Sequence, residues 1–146
     1  MVLAKQIIES MEQWAPPHYA ESWDNVGLMV GSKQRNVSKI VTTLDITPDV
    51  IEYAIVERAQ MIISHHPFIF KGLKSLNLDS SQGKLIEKLI KNDIVVYSAH
   101  TNLDITTGGL NDMLANRLGL TNIRGFVPTG SDVVYKITTF VPTDMA

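Results

Sequence analysis

The stretch KIVTTLDITPDVIEYAIVERAQMIISHHP, residues 39–67, spells one complete strand, helix and strand. It opens on the β-branched run Lys39-Ile40-Val41-Thr42-Thr43-Leu44-Asp45, the composition of a strand. Thr47 followed by Pro48 reads as an N-cap with proline at the first helical position, which predicts a helix over 48–59. Met61-Ile62-Ile63-Ser64 is then a compact apolar run, the mark of a strand covered on both faces. The unit recurs downstream. Leu85, Ile86, Leu89 and Ile90 have helical spacing within 82–91, and residues 94–99 form another buried strand.

Working outward, Leu3, Ile7, Ile8, Met11 and Trp14 lie on one face of an amphipathic helix that Pro16-Pro17 stops. Trp23-Asp24-Asn25-Val26 reads as a turn into a short strand between Gly27 and Gly31. On the other side, Gly108-Gly109 forms a tight turn before a helix carrying Leu110, Met113, Leu114, Arg117 and Leu118, with Gly119 as its C′ residue. A last strand is expected over 133–141, running into Pro142-Thr143-Asp144. Strands alternating with amphipathic helices predict an α/β fold, a three-layer α/β/α arrangement around a mixed, largely parallel sheet. The Pro-Thr-Asp turn commonly leads into a helix, so residues 1–146 are expected to be the N-terminal α/β domain of a longer protein that continues into a second half.

Composition narrows the function classes. Thirteen Lys and Arg against fifteen Asp and Glu give a net charge of −2, which leaves no basic face for general nucleic-acid or membrane-surface binding. The absence of cysteine excludes disulfides, zinc knuckles, iron–sulfur ligation and thiol catalysis together. No apolar run approaches the roughly 20 residues of a membrane span, and the N-terminus lacks a signal-peptide core, so a cytoplasmic location is expected.

Three of the four histidines sit directly behind strands: His65 and His66 after 61–64, and His100 after 94–99. Open α/β sheets bind ligands at the carboxyl ends of their strands, where these residues fall. Neighbouring residues on a regular strand point to opposite faces, so both imidazoles of His65-His66 reach one pocket only if the backbone turns there. An HH pair alone is more often a surface or hydrogen-bonded loop feature than a pair of ligands, and a second cluster behind another buried strand shifts the balance towards metal. Behind the second strand, Asp104 follows His100 by four residues. With no thiolate available, imidazole and carboxylate suit Zn, Mn, Fe, Co or Ni, and a carboxylate is able to bridge two such ions around an activated water.

The motifs HHPFIFKG (65–72), ESWDNVGL (21–28), HTNLD (100–104) and GGLND (108–112) together resemble the NIF-three-like family of dinuclear-metal-centre proteins, from about residue 2 to residue 141. The resemblance implies a hexameric toroid, and a label as a type two relative of GTP cyclohydrolase I. It implies two divalent ions held by His65, His66 and Asp104, with Asp104 as the bridge and His100 as a neighbour of the ligands. The family's remaining ligands come from an HxxxE motif near the C-terminus. This sequence has no histidine after His100 and no HxxxE, so weak or partial metal binding is expected of this chain, and by itself little activity.

Other features carry less. Trp23-Asp24-Asn25 either faces the site, with Asp24 or Asn25 orienting a ligand or water, or forms an Asx turn with Trp23 packed in the core, and Asp45 fits a site residue or a helix cap alike. Lys71 and Lys74 offer positive charge to an anionic substrate, or form a solvated loop pair. His18 reads as a surface loop residue. Two functions follow. One is a metal-dependent hydrolase acting on a small substrate, nucleotide-like ones included; the other is a non-catalytic metal-binding scaffold or regulatory interaction protein.

Overall fold

A computed structural model describes residues 1–125. The strand expected over 133–141 and the turn at Pro142 lie outside the described residues. A two-residue strand, β1 (Val2–Leu3), leads directly into α1 (Ala4–Trp14). The side-chain oxygen of Gln6 accepts from the Leu3 N–H (2.9 Å), satisfying a donor at the helix entrance. After a short 3₁₀ turn at Pro17–Tyr19 come β2 (Gly27–Val30), β3 (Asn36–Val37) and β4 (Ile40–Thr43). Then follow α2 (Pro48–Val56), β5 (Met61–Ser64), α3 (Ser81–Lys91), β6 (Val95–Ser98), α4 (Thr101–Ile105) and α5 (Leu110–Arg117). Thr47 and Ser80 cap α2 and α3 by accepting from Val50 N (3.3 Å) and Gly83 N (3.0 Å).

The main sheet has the order β2-β6-β5-β4. β4, β5 and β6 run parallel, with Thr43 beside Ser64 and Ser64 beside Ser98, so their carboxyl ends finish flush. β2 is antiparallel to β6 and pairs Gly27 with Ser98, so it begins where the others end. A separate small ribbon pairs β1 with β3. The fold is therefore the expected mixed, mostly parallel α/β sheet flanked by helices.

Period-two alternation sorts the two faces. Ile62 and Val96 join Val30, Ile51, Ala54 and Leu89 in a core under α2 and α3. Met61, Val95 and Tyr97 point the other way and pack with Ala4 and Ile8 of α1. All of these side chains are buried, and truncating one such as Ile62 to alanine costs about 2–5 kcal/mol.

Helix ends are the main departures from the sequence reading. The helix expected to reach residue 59 stops at Val56, because Arg58 turns left-handed (φ 53°). Its N–H bonds Ile55 O (3.0 Å) while Ala59 N bonds Ala54 O (2.8 Å), the paired closure of a Schellman motif. α3 ends the same way at Asp93 (φ 55°), and α5 does so at Gly119 (φ 72°) as expected. Gly109 fits the tight turn, since a Cβ there would lie 2.0 Å from Leu103 O. α5 buries none of its residues among the described ones, leaving Met113, Leu114 and Leu118 exposed.

Candidate metal centre

The flush strand ends collect the chemistry. β4 delivers Asp45, β5 delivers His65 and His66, β6 delivers His100, and the turn entering β2 delivers Asp24. Ladder bonds continue past the strands proper: His65 N donates to Thr43 O (3.1 Å), His66 N to Leu44 O (2.9 Å) and Ala99 N to Ser64 O (3.0 Å). The histidines therefore hang from hydrogen-bonded backbone.

The turn that lets two adjacent histidines face one place is built from serines. Ser64 Oγ donates to His66 O (2.9 Å), pulling the backbone over immediately after β5. Beneath it, Ser64 Oγ and Ser98 Oγ share a buried hydrogen bond of 2.8 Å between the two central strands. The His65 and His66 rings end 5.2 Å apart, and they lie 5.1 and 5.6 Å from the ring of His100. One ring nitrogen from each of the three falls within 4.8 Å of the others, a grouping able to hold a metal ion. Asp104, on the short helix α4 that His100 starts, puts Oδ1 3.7 Å from His65 Nε2.

Each imidazole has an acceptor on the same ring atom. His65 Nδ1 meets Ala99 O at 3.0 Å, His66 Nδ1 meets Asp45 Oδ1 at 2.7 Å, and His100 Nδ1 meets Asp24 Oδ1 at 2.9 Å. In the neutral ring, an acceptor at Nδ1 fixes the proton there and leaves Nε2 with its lone pair free. Asp24 is held hardest. Its fully buried carboxylate also accepts from Thr101 Oγ1 (2.5 Å), Thr101 N (3.1 Å) and Asn25 N (2.8 Å). Burial alone would raise its pKa, but the hydrogen bonds from Thr101, His100 and the backbone outweigh it, and the group sits below the ordinary carboxylate value.

Of the two readings of Trp23, the core position does not hold. The side chain is 59% exposed, edge-on to Phe70 (6.0 Å between centroids) and to His100 (6.3 Å). The reason is its neighbour: Asp24 turns inward to His100 and Thr101, which sends the adjacent side chain outward. Asn25 Nδ2 donates to Ile69 O (2.5 Å), tying this turn to the loop behind His66. Lys71 lies exposed in that loop, with no hydrogen bond or ion pair among the described residues. His18 is exposed on the 3₁₀ turn, against Tyr19 and apart from the cluster. The sequence reading overlooked Ser64, Ser98, Thr101 and the Ala99 carbonyl. Small hydroxyl residues just before histidines at strand ends were the available signal.

The family model described as Duf34/NIF3 (NGG1p interacting factor 3) matches residues 2–145. The chain belongs to the Duf34/NIF3 family. Among its Duf34/NIF3 relatives, the GTP cyclohydrolase 1 type 2 homolog of Halalkalibacterium halodurans is 43% identical over 136 residues, covering 93% of this chain and 37% of the relative. The homolog of the same name in Bacillus subtilis is 42% identical over 143 residues, covering 98% and 38%. The chain thus spans a little over a third of the length of these curated relatives. A Bacillus cereus protein related to NIF3 superposes with a TM-score of 0.77 at 45% identity, covering 83% of this chain and 33% of that one. Reduced HcgD from Methanocaldococcus jannaschii gives 0.80 at 37% identity, covering 88% and 52%.

Proposed function

We propose that His65, His66 and His100 bind a divalent metal ion through their Nε2 atoms, with Asp104 as the carboxylate ligand, and that the protein uses this centre for hydrolysis. The observation that carries the reading is the common occupation of all three Nδ1 atoms by acceptors, two of them carboxylates. Unligated histidine clusters have no need of one shared tautomer, whereas metal-ligating imidazoles almost always donate their other N–H to a carboxylate or carbonyl. The donor set, imidazole nitrogen and carboxylate oxygen without sulfur, suits Zn, Mn, Fe, Co or Ni. An ion held there would activate a bound water and polarise a carbonyl or phosphoryl oxygen of the substrate.

Three imidazoles and one carboxylate would hold one ion, which in a catalytic centre must also keep a position open to water, and they offer no separate set of donors for a second. Asp104 has two oxygens and is the ligand of this chain suited to touch both ions of a dinuclear centre. Further donors for a second ion must come from outside the cluster. Asp45 and Asp24 keep His66 and His100 in the ligating tautomer, and Thr101 and Asn25 keep Asp24 ionised and fixed. The substrate in this reading is small, with nucleotides among the candidates, since Trp23 and Phe70 offer an aromatic rim beside His100. The homo-oligomeric toroid is part of the same proposal, and the exposed apolar residues of α5 and Leu120 are consistent with a covered surface.

The test is turnover by the natural gene product at its full length, loaded with Mn, Co or Zn, against a panel of nucleotides and phosphate esters. Metal-dependent hydrolysis abolished by His66→Ala supports the reading. Stoichiometric metal with no turnover on any substrate would instead assign a binding scaffold.

A further inference from the structure

At the opposite end of the sheet, where β5 and β6 begin, a pocket of about 210 Å³ opens between the carboxyl ends of α2 and α3. Ile55, Ala59 and Ile94 form its apolar part, and Arg35, Arg58, Gln60 and Asn92 its polar part. We propose that this pocket binds a small oxyanion, a phosphate or carboxylate group, between the guanidinium groups of Arg35 and Arg58. The site is separate from the histidine cluster and does not depend on it.

Arg35 supplies the first argument. Its Nη1 lies 3.3 Å from Asp93 Oδ2, which anchors one side of the guanidinium. Its Nε is buried with no acceptor among the described residues. A guanidinium N–H removed from water needs an acceptor, and an anion in the adjoining pocket provides one. Arg58 is exposed and makes no ion pair among the described residues, so its charge is available. The amides are partly committed, one N–H of each being bonded. Gln60 Oε1 accepts from Ser38 N, Ser38 Oγ and Lys39 N, its Nε2 donates to Arg58 O, and Asn92 Nδ2 donates to Lys88 O. The charges of the lining are those of the two arginines, so recognition of an anion falls chiefly to them.

Backbone conformation supplies the second argument. The C′ position of a Schellman motif is left-handed and favours glycine, as at Gly119 behind α5. Behind α2 and α3 the same position holds Arg58 and Asp93, at φ 53° and 55°. Both strained positions bear charged side chains, one lining the pocket and the other holding Arg35. Helix carboxyl ends attract cations and disfavour anions, which by itself gives the arginines a reason to be there. It does not explain the orphan Nε. The motifs' own amides moreover satisfy the carbonyls of Ala54, Ile55, Leu89 and Ile90, so these are not left bare toward an anion. At 210 Å³ the pocket is below the roughly 300–1,000 Å³ of drug-sized ligand sites, which fits a small anion and not a nucleotide.

The experiment titrates the metal-free chain, ¹⁵N-labelled, with inorganic phosphate and with acetate in separate arms at constant ionic strength. The expected result is a saturable shift of the Arg35 and Arg58 Nε–H resonances in one arm or both, the arm identifying the group recognised. Arg58→Gln and Arg35→Gln should each weaken saturation about tenfold or more, while Lys84→Gln, outside the pocket, leaves it unchanged. Arg58→Gly separates binding from folding: it relieves the left-handed strain, so the chain should melt at the same temperature or higher while binding is lost. Shifts that never saturate in either arm, or that persist unchanged in Arg58→Gly, overturn the proposal.

Discussion

Asp45 offers a way to weaken the metal centre without weakening the fold. Its side chain is 58% exposed, and its one contact with the cluster is the 2.7 Å bond from Oδ1 to His66 Nδ1. An exposed pair of this kind contributes about 0–1 kcal/mol to stability, so Asp45→Ala should leave the urea midpoint nearly unmoved. Its effect on metal should be far larger. Losing the acceptor frees the His66 ring to place its proton on Nε2, the ligating atom, and outer partners of metal-bound histidines typically account for 10–100-fold in affinity. That range corresponds to about 1.4–2.8 kcal/mol at the site. Asp45→Asn keeps a neutral acceptor and should lie between alanine and the parent. The assay is competition for Co or Zn against a chromophoric chelator, with urea unfolding of the same metal-free samples. Unchanged metal affinity in Asp45→Ala, with the fold intact, would refute the tautomer argument.

Ser64→Ala should cost about 1–3 kcal/mol by leaving the buried Ser98 hydroxyl unpaired, and adding Ser98→Ala should return part of that stability without restoring metal affinity, because the bond to His66 O stays lost. Burial, with Glu12 adding its negative charge, pushes the Tyr97 hydroxyl up to about 12 from 10.0. The unfolded chain therefore releases this proton first, so Tyr97 leaves stability untouched below pH 10 and subtracts from it as pH rises from 10 towards 12. Tyr97→Phe should flatten that alkaline loss by about 1–3 kcal/mol, measured as the difference between the two proteins' unfolding free energies against pH. Gly109→Ala should destabilise by about 1–3 kcal/mol and weaken metal binding together, since the new Cβ would press on the Leu103 carbonyl beside Asp104.

Much of this was legible in the residues. Met61-Ile62-Ile63-Ser64 reads as a buried strand because nothing polar interrupts it, and Thr47-Pro48 marks a helix start by capping chemistry alone. Gly119 announced its left-handed turn, whereas Arg58 and Asp93 did not, because glycine is the residue that signals that conformation. Trp23 stays ambiguous for a related reason: its aromatic bulk argues for the core, and only the inward turn of Asp24 decides otherwise. At the site, strand-end position singled out the histidines. Their partners Asp24 and Asp45 lie 76 and 21 residues away in sequence, and parallel and antiparallel register brings them together. That pairing was invisible before the sheet order was known.

The proposed centre places His65, His66 and His100 around one ion. Elemental analysis of the purified chain after loading with Mn, Fe, Co, Ni or Zn, beside a His65→Ala/His66→Ala variant, tests it most directly. One ion per chain is expected, lost in the variant while the urea midpoint of the metal-free protein stays close to that of the parent. No bound metal, or metal retained by the variant, would contradict it.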